Sequence, residues 1–163
     1  MSVISGQNIR ALCNGLSTPP MLDPFHERTV FNGKSFGLSI AGYDVRCAEP
    51  IHLPPGAFRL ASTVEKFWMP PNVIGFVHDK STWAREGLAV QNTVIEPGWR
   101  GFLTLELTNH NDHHEIMVLR NDPIAQIVFH WVDMDVEKPY DGKYQDQEAG
   151  PQVARYESKA TRG

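Results

Sequence analysis

The chain is poor in cysteine and has no long hydrophobic run. Only Cys13 and Cys47 occur among its 163 residues, and their isolation favours two reduced, buried thiols over a structural disulfide. No apolar stretch approaches the roughly 20 residues that a membrane-spanning helix needs, and residues 1–5 lack the basic start of a secretory signal. We therefore expect a cytoplasmic protein that does not cross a membrane.

Strong positive charge and a zinc-binding signature are also absent. Fifteen Lys and Arg against 19 Asp and Glu give a formal net charge of −4, which disfavours broad binding to a nucleic-acid backbone but leaves room for a local phosphate pocket. The pattern His-x-Glu followed by Pro-Cys-x-x-Cys does not occur. The segment His110-Asn111-Asp112-His113-His114 has no fourth ligand at a recognisable spacing, so we expect a solvated loop there.

What the chain does have is a series of short apolar segments separated by Gly, Pro, Asn and Asp. Twelve prolines suit strand ends and disfavour long helices. The pattern predicts strands over residues 42–47, 57–63, 73–77, 88–91, 101–108, 115–119 and 124–131. Many short strands with regular turn signals indicate an all-β fold of the barrel or jelly-roll type. The length fits one domain over residues 1–163.

The two ends of the chain differ from this strand-rich middle. Residues 5–14 are predicted to form a short helix, with Ser5 as a possible cap and Gly15 at its end. Polar residues dominate after about residue 133. We expect residues 135–163 to form a C-terminal tail that a ligand or a partner orders, or that is otherwise disordered.

A second short helix is predicted over residues 81–86. Asp79 or Ser81 can cap its start, and Gly87 can close it in a left-handed conformation. Its length is one or two turns.

Several groups that can bind an anion meet at this helix. Ser81 and Arg85 are four residues apart and so face the same way. Lys80 and Thr82 lie at the start, where unpaired backbone N–H groups and the helix dipole favour an anion. A lysine, two hydroxyls and free amides form a phosphate-binding corner, although Ser and Thr are also ordinary caps at such a position.

Carboxylates occur in a turn and in the strand that follows it. Alternation over residues 101–108 puts Glu106 on the face opposite the leucines, where it is either ordinary surface or a desolvated carboxylate that Arg85 keeps ionised. The segment Ile95-Glu96-Pro97-Gly98-Trp99 is either a plain hairpin connection packed by Trp99 or a turn that presents Glu96 to a ligand.

Six segments of the chain, in order, form a combined pattern. They are Ala41-Gly42-Tyr43-Asp44-Val45-Arg46, Lys80-Ser81-Thr82-Trp83-Ala84-Arg85, Ile95-Glu96-Pro97-Gly98-Trp99-Arg100-Gly101, Leu103-Thr104-Leu105-Glu106-Leu107, Asp122-Pro123-Ile124-Ala125-Gln126-Ile127, and Pro139-Tyr140 with Lys143-Tyr144-Gln145-Asp146-Gln147. Taken together, these segments resemble the dUTPase-like superfamily and, within it, the dCTP deaminase family, whose helix has the pattern (Arg/Lys)-Ser-Ser-x-(Ala/Gly)-Arg.

The resemblance implies a distorted jelly-roll, or β-clip, dUTPase-like barrel with one or two short helices. It also implies a homotrimer with active sites at the subunit interfaces and hydrolytic deamination of dCTP to dUTP and ammonia. Mg²⁺ would arrive with the nucleotide triphosphate, and the protein would hold no zinc or other metal of its own. Its partners would be dCTP, dUTP and possibly dTTP.

The resemblance also implies roles for individual residues. Glu106 would be the base and later the acid, Ser81 would hold the water with a backbone carbonyl near Gln91, Asn92 or Thr93, and Arg85 would orient Glu106. Lys80, Ser81 and Thr82 at the helix start would bind the phosphates. Glu96 in the turn would bind the deoxyribose 3′-hydroxyl, and Trp99 would support that turn. Tyr140, Lys143 and Gln147 in the tail would close over the triphosphate.

Three departures from the family pattern leave alternatives open. Glu96 stands where Asp is usual, the connection over residues 89–94 is shorter than the usual deaminase loop, and the region before Asp44 is shorter than is typical of the family. Carboxylates at both 96 and 106 favour the deaminase branch over plain dUTPases. The alternatives are a bifunctional deaminase and dUTPase, a dUTPase, an enzyme for dCMP or a modified cytosine nucleotide, and a non-catalytic nucleotide-binding regulator.

Overall fold

A computed structural model describes residues 2–157 and contains thirteen strands and two short helices. The helices are α1 (Gly6–Cys13) and α2 (Ser81–Arg85). The strands are β1 (Ser2–Val3), β2 (Leu22–Asp23), β3 (Thr29–Phe31), β4 (Lys34–Leu38), β5 (Tyr43–Arg46), β6 (Ile51–Leu53), β7 (Phe58–Trp68), β8 (Val73–Asp79), β9 (Leu88–Val90), β10 (Val94–Ile95), β11 (Arg100–Asn109), β12 (Ile116–Val118) and β13 (Pro123–Trp131).

The strands form two larger antiparallel sheets around one hydrophobic core. One sheet has the order β10-β8-β13-β5-β4-β3, with β1 also paired to β13, and the other has the order β2-β7-β11-β9. A small third sheet joins β12 to β6. Tyr43, Phe129 and Phe67, from both larger sheets, are fully buried in the shared core. This is the mainly-β architecture that the sequence predicts.

All seven predicted strands are present, as β5, β7, β8, β9, β11, β12 and β13. The long strand β7 continues to Trp68, past its predicted end at residue 63. The sequence pattern does not reveal β1, β2, β3, β4, β6 or β10, which have two to five residues each. Alternation over so few residues is too short to detect, so pairing with a neighbour decides whether they form.

Both predicted helices are present, but their predicted side-chain caps are wrong. Neither α1 nor α2 has a side-chain hydrogen bond at its N-cap, which is Ser5 in α1 and Lys80 in α2. Asp79 instead accepts the Val90 N–H at 2.7 Å and so ties the helix start to β9. Gly87 adopts the expected left-handed conformation, with φ of 86°.

Two other expectations can be compared with the described residues. Cys13 and Cys47 are both free and buried, as predicted. Neither helix within residues 2–157 is long and apolar enough to cross a membrane. The predicted tail contains no helix or strand over residues 135–157, and its last residues, 158–163, lie outside the described residues.

Candidate active site

The turn after β10 holds the C-terminal tail of its own chain. We call Pro97-Gly98-Trp99-Arg100-Gly101 the turn 97–101. The Tyr140 N–H donates to the Pro97 carbonyl at 2.9 Å, and the Trp99 indole N–H donates to the Tyr144 carbonyl at 2.7 Å. The Phe102 N–H donates to the Gln147 carbonyl at 2.9 Å. Residues 139–147 are therefore ordered by their own subunit, and not only by a ligand or a partner as the sequence suggested.

Two glycines make this close approach possible. A Cβ on Gly98, where φ is 83°, would collide with the Pro139 side chain. A Cβ on Gly101, where φ is 142°, would lie 2.6 Å from the Gln147 backbone nitrogen. A side chain at either position would be strained in conformation and would also push the tail away. The two glycines of the Pro-Gly-Trp-Arg-Gly sequence are therefore explained by the tail residues that pack against them.

The tail, one face of the second sheet and residues 93–96 line an open cavity of about 640 Å³. This volume lies within the range of pockets that bind small molecules. Of the predicted site residues, the cavity brings together Thr93, Glu96, Trp99, Glu106, Tyr140 and Gln147. Much of the remaining lining is apolar, from Phe58, Leu60, Val94, Leu103 and Val153.

Glu106 is the residue of this cavity that is best suited to proton transfer. It lies within β11, paired with Leu60 of β7, and is half-buried. Its Oε2 is buried and has no hydrogen-bond partner among the described residues. Burial raises the pKa of the Glu106 carboxyl above its ordinary value, opposed by a hydrogen bond from its own backbone. A desolvated carboxyl that faces a cavity is suited to exchanging a proton with a bound molecule.

Within one chain, the predicted site residues on the helix α2 do not line this cavity. Ser81, Thr82 and Arg85 are exposed, and none of them lines the cavity. The salt bridges among residues 2–157 do not include an Arg85–Glu106 pair. Trp83 anchors α2 to β13 of the first sheet, where its indole N–H donates to the Pro123 carbonyl at 2.6 Å, and Glu106 lies on β11 of the second sheet.

Comparison with known proteins identifies the family of this chain. A family model described as dCTP deaminase-like matches residues 39–132. A dCTP deaminase of Pseudomonas putida (strain W619) is 35% identical, with 78% of this chain and 87% of that protein covered. A dCTP deaminase of Campylobacter fetus subsp. fetus (strain 82-40) is also 35% identical, covering 78% of this chain and 86% of that protein.

The chain belongs to the dCTP deaminase-like family. Its relatives are enzymes named for the deamination of dCTP, and the enzyme class expected from the sequence is confirmed.

Solved structures confirm the dUTPase-like fold. The EIAV dUTPase in its native form superposes with a TM-score of 0.52 at 26% identity, covering 63% of this chain and 85% of that one. The dUTPase from phage phi11 of S. aureus gives a TM-score of 0.54 at 18% identity, covering 74% of this chain and 92% of that one. A mutant dUTPase from the same phage is described with a structural Mg(II) ion.

Other predicted site residues of this dCTP deaminase-like protein lie outside the cavity. Gln91 and Asn92 are exposed, although the Gln91 N–H donates to the Glu106 carbonyl at 2.9 Å and so holds their loop beside β11. Lys143 is exposed on the tail, 3.5 Å from Glu157. Lys80, expected at a phosphate, is instead buried against Asp44, with Nζ 2.7 Å from Oδ2.

The structure also reveals site residues that the sequence pattern does not single out. Thr104 lines the cavity and accepts hydrogen bonds from the Gln147 side chain and, at 3.0 Å, from the Gln152 N–H. Tyr144 lines the same cavity. Thr104 lies two residues before Glu106 on the same strand face, and that spacing was the available signal. Gln152 follows the recognisable tail segment, and no pattern marks it.

The histidine-rich loop contributes nothing to this cavity. Among residues 2–157 there is no group of three or more His, Cys, Asp or Glu side chains that could hold a metal ion. His52 instead pairs with Glu115 at 2.6 Å, beside the loop.

Proposed function

We propose that this protein hydrolyses dCTP to dUTP and ammonia, in pyrimidine deoxynucleotide metabolism. The observation that carries the proposal is the Glu106 carboxyl, which is desolvated, lacks a partner on Oε2 and faces the cavity. Membership of the dCTP deaminase-like family supports the substrate. Nucleotide triphosphate would enter as its Mg²⁺ complex, so the metal belongs to the substrate.

The reaction needs a proton acceptor that can also return a proton. Glu106 takes a proton from water as the water oxygen bonds to C4 of the cytosine ring. It gives this proton to the ring nitrogen N3, takes the second proton from the C4 hydroxyl of the tetrahedral intermediate and passes it to the amine. The C4–N bond then breaks, ammonia leaves, and the former water oxygen becomes the C4 carbonyl of dUTP. A carboxyl whose pKa is raised by burial can do both near neutral pH. The rate should fall as the pH falls through the raised pKa, because the base is then protonated.

The remaining catalytic groups come from α2 of a neighbouring subunit in a homotrimer. Ser81 and Arg85 are exposed on one side of α2 and are separated from Glu106 of the same chain. An interface that lays α2 over the cavity would let Ser81 hold the water and Arg85 steady the ionised carboxylate. Thr82 and the free amides of the helix start would then face the phosphates.

The turn and the tail supply the other contacts. Glu96 lines the cavity and would contact the deoxyribose 3′-hydroxyl, and buried Trp99 would support the turn. The backbone near Thr93 would face the base. Tyr140 and Gln147 would close over the nucleotide from the tail, with exposed Lys143 reaching a phosphate. The same pocket would admit dTTP as a regulator.

Release of ammonia tests the proposal directly. The purified protein with dCTP and Mg²⁺ should form ammonia and dUTP in equal amounts. Glu106→Gln should lower kcat by about 10²–10⁴-fold while retaining nucleotide binding, since the amide keeps the shape but cannot accept the proton. The exposed Glu115→Gln is the matched control and should keep full activity. Full activity in Glu106→Gln would remove this residue from the mechanism.

A second candidate function is hydrolysis of the dUTP product to dUMP and diphosphate. Glu96 and Glu106 both line the cavity, so a second carboxylate is available to activate a water on the phosphate side. Diphosphate should then appear after ammonia in the same reaction mixture and disappear in Glu96→Gln. Accumulation of dUTP without diphosphate would limit the activity to deamination.

A further inference from the structure

The C-terminal end of α2 is held by the loop that follows β11. The Asn111 Nδ2 donates to the Glu86 carbonyl at 2.6 Å, and the His110 N–H donates to the Gly87 carbonyl at 2.9 Å. The last carbonyls of a helix have no partner within the helix, so a donor from elsewhere in the chain can satisfy them. We call these two hydrogen bonds the clasp of α2.

The Asn111 side chain in the clasp is itself fixed. Its backbone N–H and its Nδ2 both donate to Asn109 Oδ1, each at 2.9 Å. Asn109, the last residue of β11, is fully buried, and its Nδ2 donates to the carbonyls of Leu53 and His114 at 3.0 and 2.8 Å. The amide group that meets the helix end therefore has a position set by the end of β11.

The clasp lies over the residue at which α2 could turn relative to β9. Gly87 joins these two elements with φ of 86°, and a Cβ there would lie 2.7 Å from Asn111 Nδ2. Trp83 holds the middle of α2 on β13 of the first sheet, and the clasp holds its end on the loop after β11 of the second sheet. Two attachments to different sheets resist a rotation of the helix better than either does alone.

Arg85 is the functional residue next to the clasp. It is exposed and immediately precedes Glu86, whose carbonyl Asn111 holds. In the proposed function its guanidinium steadies the Glu106 carboxylate of a neighbouring subunit, so the direction of the helix end decides whether the guanidinium arrives. A displacement of about 1 Å at a reacting centre can cost about 10²-fold in rate.

We propose that Asn111 is a positioning residue that fixes the end of α2 and so directs Arg85 toward the Glu106 carboxylate of the neighbouring subunit. The inference rests on the proposed function, because that function gives Arg85 its role. Asn111 does not line the cavity of its own chain and acts through the Glu86 carbonyl. One residue of the histidine-rich loop thereby contributes to the site from outside the cavity.

The pH profile of kcat tests whether Asn111 acts through Arg85. A guanidinium close to an ionised carboxylate lowers the pKa of that carboxyl. Displacing Arg85 by Asn111→Ala should therefore move the acid limb of the profile to higher pH by about 0.5–1 pH unit and lower kcat about tenfold near neutral pH. The exposed His113→Ala, in the same loop, is the matched control and should give the wild-type profile.

The other titratable side chains of the cavity are the same in all three proteins. They are Glu96, Tyr140 and Tyr144. A shift of the acid limb found only in Asn111→Ala therefore reports the charge placed near Glu106. Loss of kcat with an unshifted acid limb, or an unchanged kcat, would overturn the proposal.

Hydrogen exchange tests the clasp without deaminase activity. The Gly87 N–H donates to the Ala84 carbonyl at 3.2 Å and belongs to the same peptide group as the Glu86 carbonyl that Asn111 holds. Exchange at the Gly87 amide should be about tenfold faster in Asn111→Ala and unchanged in His113→Ala. Wild-type exchange in Asn111→Ala would contradict the proposal. Absence of ammonia release from the wild type would instead count against the proposed function, and the exchange rates would still decide whether Asn111 holds the helix end.

Discussion

The helix α2 is held from beneath by buried side chains, whereas the turn 97–101 holds the tail mainly through main-chain groups. Lys80 and Trp83 anchor α2 through an ion pair and an indole hydrogen bond. The turn receives the tail through the Pro97 carbonyl and other backbone groups, with glycines at the points of closest approach. The first region should therefore be sensitive to the loss of side chains, and the second to the addition of a Cβ.

The largest expected effect is at the anchor of α2. Trp83→Ala should lower the free energy of unfolding by about 3–5 kcal/mol, because it removes a buried ring and leaves a cavity. Chemical denaturation measures this change. Trp83→Phe, which keeps most of the ring but loses the bond to Pro123, should cost less. A loss below about 1 kcal/mol in Trp83→Ala would mean that α2 does not depend on this side chain.

An intermediate effect is expected where the tail crosses the turn. Gly101→Ala should cost about 1–3 kcal/mol in conformational strain and should release the tail, so that trypsin cuts faster after Lys143. Gly15→Ala is a closely matched control, since its φ is 141° against 142° at Gly101 and nothing lies within 4 Å of its added Cβ. Equal trypsin rates in the two variants would show that the tail is not held by contact with Gly101.

The smallest expected effect is a pH-dependent change in stability when the Glu106 carboxyl is replaced. Because burial raises the folded-state pKa of Glu106, its contribution to stability is fully present below the unfolded-state pKa and is lost as the pH rises through the folded-state pKa. Glu106→Gln should then be more stable than the wild type by about 1 kcal/mol or less at about pH 8, and the gain should vanish at about pH 4.

Comparison with a control isolates this carboxyl from other titrating groups. Burial also raises the pKa of Glu65, but Glu65 is present in both proteins and its effect cancels. Glu115→Gln, at an exposed position, should show no such pH-dependent gain. A Glu106→Gln protein that gained stability at low pH instead would contradict a raised pKa.

Much of the fold could be predicted because its longer strands keep a regular alternation. Residues 101–108 and 124–131 alternate clearly enough to mark β11 and β13. The strands β1 and β10 have only two residues each and depend on pairing with β13 and β8. The tail segment also depends on tertiary contact, because its polar sequence shows no periodicity although it lies against the turn 97–101.

In the candidate site, too, some residues could be predicted from the sequence and others could not. Glu106 and Glu96 could be predicted because carboxylates beside apolar strands are unusual, and the cavity contains both. Thr104 had only its spacing from Glu106 as a signal, and Gln152 had none, because an isolated Gln has no distinguishing pattern until the chain brings it to Thr104. Among the residues that the structure describes, Arg85 forms no salt bridge with Glu106 of the same chain, and only the tertiary structure shows this.

The sequence alone determined the residue types, their order and the turn glycines, and these specify the mainly-β class and the family. Such features are local, because alternation, turn conformation and short motifs are encoded within a few neighbouring residues. Only the tertiary structure decided that Lys80 pairs with Asp44 and that the tail lies on the turn of its own chain. Those contacts join residues far apart in sequence, and burial and charge pairing select them only once both sheets have formed.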